Sequence, residues 1–586
     1  MNDFDIFLKE AKDRQLIGSA LKYHELVNSD TKVLKINEFF EAFEKGKMQR
    51  NGYDFRDIFE HSIYYVALKM SMENTGSRRF DVGKNMEMNI DKYSKQEEII
   101  RQKNIELIES RLMSTIDVND KDYAFLNLEK DDGTLRKLFK LNAKAILKLK
   151  KCLILSPATA SLLFRNEAFE KFDVVIVDEA SQLEPVTVLP VFFRAKQCVV
   201  VGDEWQMPPI QHFKVKHEKN INDYDSSLEP DASALSVILN SKNFASHALE
   251  CHYRSKTESL IRFSQKRFYP TMKTFPAPVP KKAGLGFVDI FVENATSDAG
   301  VNIAEANVVV EELRKHFNKY FIDGRLVESI GIVSFGEKQR DKIVKLVEND
   351  DELNAKIREA IQNRDKNDVE EKVIFFKTIE EVQGQEAAHL IISFTYGVDK
   401  NGEQQNRFGE LNRDKLGQCI FNVAVTRSQK SLTVVHSIRA RDIDAATNAK
   451  IAYIKEYLEI AEFFSNEGKE QFVSKDLPKG FITQVGDYIK SLGISENRIV
   501  YDYGVTEGSI RIPLVILSED SQVALYGFFL EKDLKSNYHY IDYNIRYYNI
   551  LKDQFNWNLQ RVYIHDWIYN QEIVKNKIKQ FVNELR

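Results

Sequence analysis

The chain has 586 residues, 43% of them hydrophobic and 29% charged, with a formal net charge of −5. That length exceeds one core and calls for roughly three or four domains of a soluble globular kind. The net charge excludes nucleic-acid binding through global charge and leaves only local basic surfaces for it.

The cysteines, Cys152, Cys198, Cys251 and Cys419, are isolated. Without a C-x-x-C pair they argue against zinc or redox work, and the chain reads as cytoplasmic. The opening MNDFDIFLKEAK lacks the apolar core of a signal peptide, and no apolar run is long enough to span a membrane.

Residues 1–150 read as mostly helical. The run QEEIIRQKNIELIESRLMSTI places Ile105, Ile108, Leu112 and Ile116 on one helical face. A second helix, LRKLFKLNAKAILKLKK, turns Leu135, Leu138, Ile146 and Leu149 inward and Lys140, Lys144 and Lys148 outward. That basic face is either a solvated surface or a nucleic-acid track.

From residue 151 the texture changes to alternating strands and helices. CLILSP, FDVVIVDEA and QCVVVGDE are short β-branched runs ending in polar residues, the pattern of buried parallel strands. A polar stretch over 215–232 reads as a loop. A second α/β set follows, with strands in SIGIVSF, KVIFFKT, HLIISFTY and SLTVVHS. VENDDELNAKIREAIQNRDKNDVEEK reads as an exposed helical excursion, and residues around 464–480 as a linker. The Tyr- and Phe-rich last hundred or so residues read as a separate α+β domain. The boundaries expected are therefore 1–150, 151–245, 246–465, a linker over 466–480, and 481–586.

Five blocks carry chemistry: VIVDEASQ at 175–182, VVVGDEWQMPP at 199–209, HYRS at 252–255, EEVQGQE at 380–386 and FNVAVTRS at 421–428. Asp178 and Glu179 follow an apolar strand, and ligands of open α/β sheets bind at strand carboxyl ends. Asp178 suits Mg²⁺ beside phosphates, and Glu179 suits positioning and deprotonating a water. An acidic pair capping a strand is the ordinary alternative, which the trailing Ala180-Ser181-Gln182 disfavours. Gln206, beside Asp203, suits sensing a γ-phosphate through a neutral hydrogen bond, with Pro208 and Pro209 stiffening the turn. Arg254 and Arg427 suit stabilising phosphoryl-transfer charge across a cleft, although a lone arginine is more often in a surface ion pair. Gln383, Gly384 and Glu386 sit between nucleotide and nucleic acid in this reading, with Gly384 allowing close backbone approach. The candidate catalytic set is Glu179, Arg427, Arg254 and Gln206. The cofactor-binding set is Asp178, Gln182, Asp203, Gln383, Gly384 and Glu386.

In order and spacing these blocks resemble superfamily 1 helicases, in the branch of the nonsense-mediated-decay helicase, over roughly 150–440. LILSPATASLLF, RAKQCVVVGDEWQMPP and FNVAVTR are similar to large bacterial helicases with a helical insertion in the first motor lobe and a restriction-endonuclease-like C-terminal domain. The resemblance implies an α/β fold of two RecA-like parallel-sheet lobes, the first incomplete, with a helical insertion and a C-terminal α+β domain. It implies ATP and Mg²⁺ as cofactors, single-stranded DNA or RNA as partner, and settings such as anti-phage defence or DNA processing.

The chain departs from that pattern twice. No G-x-x-x-x-G-K-[ST] phosphate loop occurs in it, and the Gly46-Lys47 and Gly83-Lys84 pairs lack the rest of the motif. The phosphates then lack their backbone cradle and lysine. Either a partner polypeptide carries that loop, or the chain is a truncated form, or it is a pseudo-helicase that binds nucleic acid or a protein without hydrolysis. Secondly, the tail FNWNLQRVYIHDW resembles very-short-patch-repair endonucleases, yet Pro513 and Phe529 stand where that family's metal-binding carboxylates fall, with Glu531 and Asp533 out of register. Hydrolysis of a phosphodiester needs those carboxylates, so nuclease activity is not expected. Tyr501, Tyr503, Tyr538, His539, Tyr540 and Trp557 are either base-stacking or core residues.

Overall fold

The computed structural model describes residues 86–114, 139, 143, 146–164, 171–209, 232–278, 285–363, 374–403, 408–444, 448–466, 480–504, 508–519, 523–530 and 542–584. Lys140, Lys144, the 215–231 stretch, Glu531, Asp533 and residues 538–540 fall outside them. Helix α1 (Met86–Ser114) forms where the spacing predicts it, but Ile105 and Ile108 on its apolar face remain exposed. Further along, Phe139, Ile146, Leu163 and Phe164 form a small core.

CLILSP is not a strand. Residues 152–156 run without ladder partners, and Ile154 is 95% exposed. A β-branched run becomes a strand only where another strand offers its N–H and C=O groups, and no described strand flanks this one. Instead the run leads into α2 (Pro157–Leu163), capped by the Ser156 hydroxyl accepting from the Thr159 N–H at 3.2 Å.

Strands β1 (Phe172–Val177) and β2 (Ala195–Val200) pair in parallel, with Val177 opposite Val200. They are joined through α3 (Pro185–Phe192), whose Pro185 sits in the first turn where a missing N–H costs nothing. Helix α4 (Ala234–Ser241) begins with a reciprocal Ser233–Ser236 cap. Its Ala234 and Leu235 close a small core with Val177, Ala180 and Val188.

The second sheet holds β3 (Gly286–Phe291), β4 (Ile330–Ser334), β5 (Ile374–Thr378), β6 (Ala387–Ser393) and β7 (Ser428–His436). Its order is β3–β7–β6–β4–β5, and every pairing is parallel. Strand periodicity divides its side chains between two faces. Leu390, Ile392, Leu432 and Val434 face α5 (Ser259–Arg267), α9 (Asp414–Val425) and α10 (Ala452–Asn466) through Phe263, Phe421, Tyr457 and Ala461. Ile332, Ile391 and Val435 face α6 (Ile303–Tyr320), α7 (Glu337–Glu348) and α8 (Asp351–Gln362). Such double-sided cover is what a parallel sheet requires.

Two expectations are corrected here. The charged run after 348 is no excursion: α8 buries Leu353, Ile357 and Ala360 against this core, and Asp350 caps it by accepting from the Leu353 N–H at 3.1 Å. High charge marks only its outer face. The expected linker is helical at its start, since α10 runs to Asn466 with Phe464 buried.

The C-terminal sheet, β8 (Ile499–Tyr503), β9 (Ile512–Leu517), β10 (Ala524–Leu530) and β11 (Leu559–Val562), has two antiparallel pairings and then a parallel one. Helices α11 (Phe481–Ser491) and α12 (Gln571–Asn583) pack on one face through Val485, Ile489, Ile578 and Val582. The other face buries Phe275, from the segment after α5. Thr274 is sewn in by Thr274 N–H to Gly508 C=O at 3.1 Å and Ile510 N–H to Thr274 C=O at 2.8 Å. Pro513, Phe529, Tyr501, Tyr503 and Trp557 are all buried, so these aromatic side chains pack rather than present faces to bases.

Candidate active site

Asp178 and Glu179 emerge at the carboxyl end of β1. The Glu179 N–H donates to Asp178 Oδ1 at 2.9 Å, and Gln182 Nε2 donates to Glu179 Oε2 at 3.1 Å. Glu179 has φ +52° and ψ +41°, the left-handed region that a branched or long side chain adopts at a cost. The turn is held from β2, because Ala180 N–H reaches the Val201 carbonyl at 2.9 Å. Gly202 lets this happen: a Cβ there would lie 3.1 Å from the Ser181 nitrogen. Both carboxylates are exposed.

The 203–207 turn is built on Asp203, whose Oδ1 accepts from the Trp205 N–H at 2.9 Å and whose Oδ2 accepts from Gln206 Nε2 at 3.3 Å. Met207 is buried in the core of the second sheet.

From the second sheet, Arg254 Nη2 pairs with Glu386 Oε1 at 3.1 Å, and Gln429 Nε2 donates to Glu386 Oε2 at 3.2 Å. The HYRS turn is stitched by His252 Nε2, which accepts from the Ser255 N–H at 3.2 Å. Burial, and then the adjacent Arg254 charge, push the His252 pKa down to about 4, so it stays neutral in this role. Arg427 is buried, with Nε donating to the Val423 carbonyl at 2.9 Å. Its pKa is lowered first by burial and next by Arg254, while Glu386 and Glu179 pull it back up. Glu179 of the first sheet therefore acts electrostatically on Arg427 of the second.

Gly384 has φ +79°, and a Cβ there would meet nothing within 4 Å. The glycine answers a backbone requirement, not the close approach of another described residue. Beside it, the Gln383 Nε2 is buried with no hydrogen-bond partner, as is the Ser181 hydroxyl. Buried polar atoms without partners are uncommon and costly, so both are available to a ligand.

The structure thus pairs Arg254 with Glu386, joins the Asp203–Trp205 turn to the second sheet, and leaves Lys148 exposed on its helix. Sequence reasoning missed Tyr269 and Asn422, which link the two sides of the cleft. It also missed Glu305, wholly buried near the carboxyl ends of β6 and β7. Glu305 accepts from Ser393 Oγ at 2.8 Å, the Thr395 N–H at 2.7 Å, Ser437 Oγ at 2.7 Å and Asn302 Nδ2 at 3.1 Å. A Tyr after a helical Phe and a Glu inside a helical apolar run carry no spacing signal.

Two family models match the chain, each described as an AAA domain, over residues 41–213 and 231–439. An uncharacterized ATP-dependent helicase of Mycoplasma pneumoniae, the MG140 homolog, is 24% identical over 75% of this chain and 39% of its own length. The helicase SEN1 of Saccharomyces cerevisiae is 27% identical over 57% of this chain and 15% of its own. The regulator of nonsense transcripts 1 homolog of Drosophila melanogaster is 24% identical over 56% of this chain and 26% of its own. The chain spans 39% of the length of the Mycoplasma relative and less of the other two. The chain is thus similar, over its two AAA-domain matches, to helicases of superfamily 1.

Proposed function

We propose that the chain is the ATP-hydrolysing core of a superfamily 1 helicase acting on single-stranded DNA or RNA, with its phosphate loop supplied by polypeptide outside these residues. The observation that carries the reading is the joining of the two sets of blocks: the Tyr269 hydroxyl donates to Asp203 Oδ2 at 2.7 Å, Asn422 Nδ2 donates to the Trp205 carbonyl at 3.0 Å, and Arg254 is held by Glu386 at 3.1 Å. Asp178 would hold Mg²⁺, an ion suited to a carboxylate and phosphates, which would neutralise charge between the phosphates. Ser181 Oγ and Gln383 Nε2, buried without protein partners, fit a polar ligand.

In this reading Glu179 orients a water and takes its proton, and Gln206 reports the γ-phosphate. Arg427 and Arg254 stabilise the transferring group from the second lobe, making hydrolysis depend on cleft closure. Among the described residues the first sheet is one parallel pair, with Val174 and Ile176 exposed, fewer strands than a buried parallel sheet uses.

The C-terminal domain is proposed to be a degenerate endonuclease-like module without nuclease activity. Its sheet order and the buried Pro513 and Phe529 favour that reading. The test of the central assignment is Glu179→Gln in the chain supplied with a phosphate-loop segment of a related helicase, expected to abolish turnover while leaving nucleotide binding. Unchanged turnover in that variant would overturn it.

A further inference from the structure

The two halves of the cleft are tied by a short polar chain that none of the blocks contains. Tyr269 lies just beyond α5, on the second lobe. Its hydroxyl donates to Asp203 Oδ2 at 2.7 Å, the same oxygen that accepts from Gln206 Nε2. On its other side it accepts from Asn422 Nδ2 at 2.9 Å, and Asn422 Nδ2 also reaches the Trp205 carbonyl at 3.0 Å. Asn422 sits on α9, one helical turn and a residue before Arg427. Around this chain Trp205 packs on Phe268 with ring centroids 4.8 Å apart, and Lys415 lies 5.1 Å above the indole. Asn422 Oδ1 is buried without a partner, so the side chain is held through Nδ2, which is shared between the Tyr269 hydroxyl and the Trp205 carbonyl.

We infer that Tyr269 is a positioning residue that ties Gln206, through Asp203, to α9, the helix that leads into Arg427. The inference rests on the nucleotide-cleft reading. Asp203 has one carboxylate oxygen to share between Tyr269 and Gln206. Movement of Gln206 toward a γ-phosphate therefore redistributes the bond to Tyr269 and, through Asn422, reaches α9. The reverse path lets closure of the second lobe set where the Gln206 amide points. A hydrogen bond to a charged acceptor is worth enough to hold such a turn closed, and a phenylalanine removes it with the ring packing intact.

The experiment is amide hydrogen exchange over residues 199–207 of the full chain, wild type against Tyr269→Phe. It is read in the free protein and, with a phosphate-loop segment of a related helicase added in trans, with Mg–ADP and with Mg–ADP plus beryllium fluoride as a γ-phosphate mimic. The 512–517 strand serves as an internal standard of folding. In the free protein Tyr269→Phe is expected to speed exchange at Trp205 and Gln206 about tenfold or more, with 512–517 unchanged. In wild type, beryllium fluoride is expected to change exchange of this turn beyond the effect of Mg–ADP alone, and in Tyr269→Phe that difference is expected to vanish. Equal exchange in the two free proteins, or an undiminished beryllium fluoride effect in the variant, overturns the inference. A fluorescent ADP titration run beside it separates the two claims. If wild type with the added segment binds no nucleotide, the cleft reading falls, while the free-protein exchange still decides the tie.

Discussion

The two sheets of the motor differ in how far the described residues cover them. In the second, the central strand β6 is buried along its whole length, and helices cover both faces of five parallel strands. In the first, the described residues form one parallel pair, with Ile176 67% and Val174 44% exposed although both are β-branched residues suited to a buried sheet. The same strand chemistry thus ends in a packed core in one place and on an open face in the other. Burial comes from neighbours, not from the strand. A site drawn from both lobes inherits this asymmetry: Arg427 is fixed by its own buried surroundings, whereas Asp178 and Glu179 stand exposed at the carboxyl end of β1.

The largest effects sharpen the comparison at the cleft itself. Once a phosphate loop is provided, Glu179→Gln and Arg427→Ala should each cut turnover by about a thousandfold or more, as loss of a general base or an arginine finger does. Steady-state phosphate release measures this, with fluorescent nucleotide binding showing that the site still fills. Turnover that survives either substitution would detach that lobe from the chemistry.

Next come the cores. Phe394 is fully buried in the second lobe, so Phe394→Ala should cost about 3–5 kcal/mol by urea unfolding. At the exposed Ile176, Ile176→Thr should stay within about 0.5 kcal/mol. If the two substitutions cost the same, the first sheet is already covered in the isolated chain and the contrast between lobes fails.

A pH effect is expected in the second lobe. Burial pushes the Glu305 carboxyl up to about 7, against the pull of Ser437, Thr395 and Ser393. A raised carboxyl binds its proton more tightly in the folded state. Its stabilisation is therefore complete below the ordinary carboxyl range and is lost as pH rises through about 7. Unfolding free energy should fall by something on the order of 3 kcal/mol between pH 4.5 and pH 8 in wild type relative to Glu305→Gln. The variant is less stable at low pH, because its amide NH₂ meets a donor at either Thr395 or Asn302. Parallel profiles for the two proteins would remove Glu305 as the source. The smallest effect is expected at the exposed Lys148: Lys148→Ala should leave turnover unchanged and alter single-strand binding less than twofold at moderate salt, checked by anisotropy.

Much of this was legible in the residues. Four of the five strands of the second sheet follow from their β-branched runs, and the order of the five blocks brings the cleft groups together. What escaped has physical reasons. CLILSP has strand composition but no strand beside it. GFVDIF, now β3, is short and contains an aspartate, Asp289, which is spent on a 2.9 Å contact with His436. The charged run after 348 hid Leu353 and Ile357 at helical spacing under a mostly acidic and basic surface. Tyr269 and Asn422 acquire meaning only when the lobes meet, because neither stands near Asp203 in the chain.

The most direct measurement is ATP turnover by the purified chain in the presence of single-stranded DNA. It is made alone and with a strand–G-x-x-x-x-G-K-[ST]–helix segment of a related helicase added in trans, each beside Arg427→Ala. The account predicts no turnover alone, and turnover with the added segment that disappears in Arg427→Ala. Turnover by the chain alone, or turnover with the segment that Arg427→Ala leaves untouched, would contradict it.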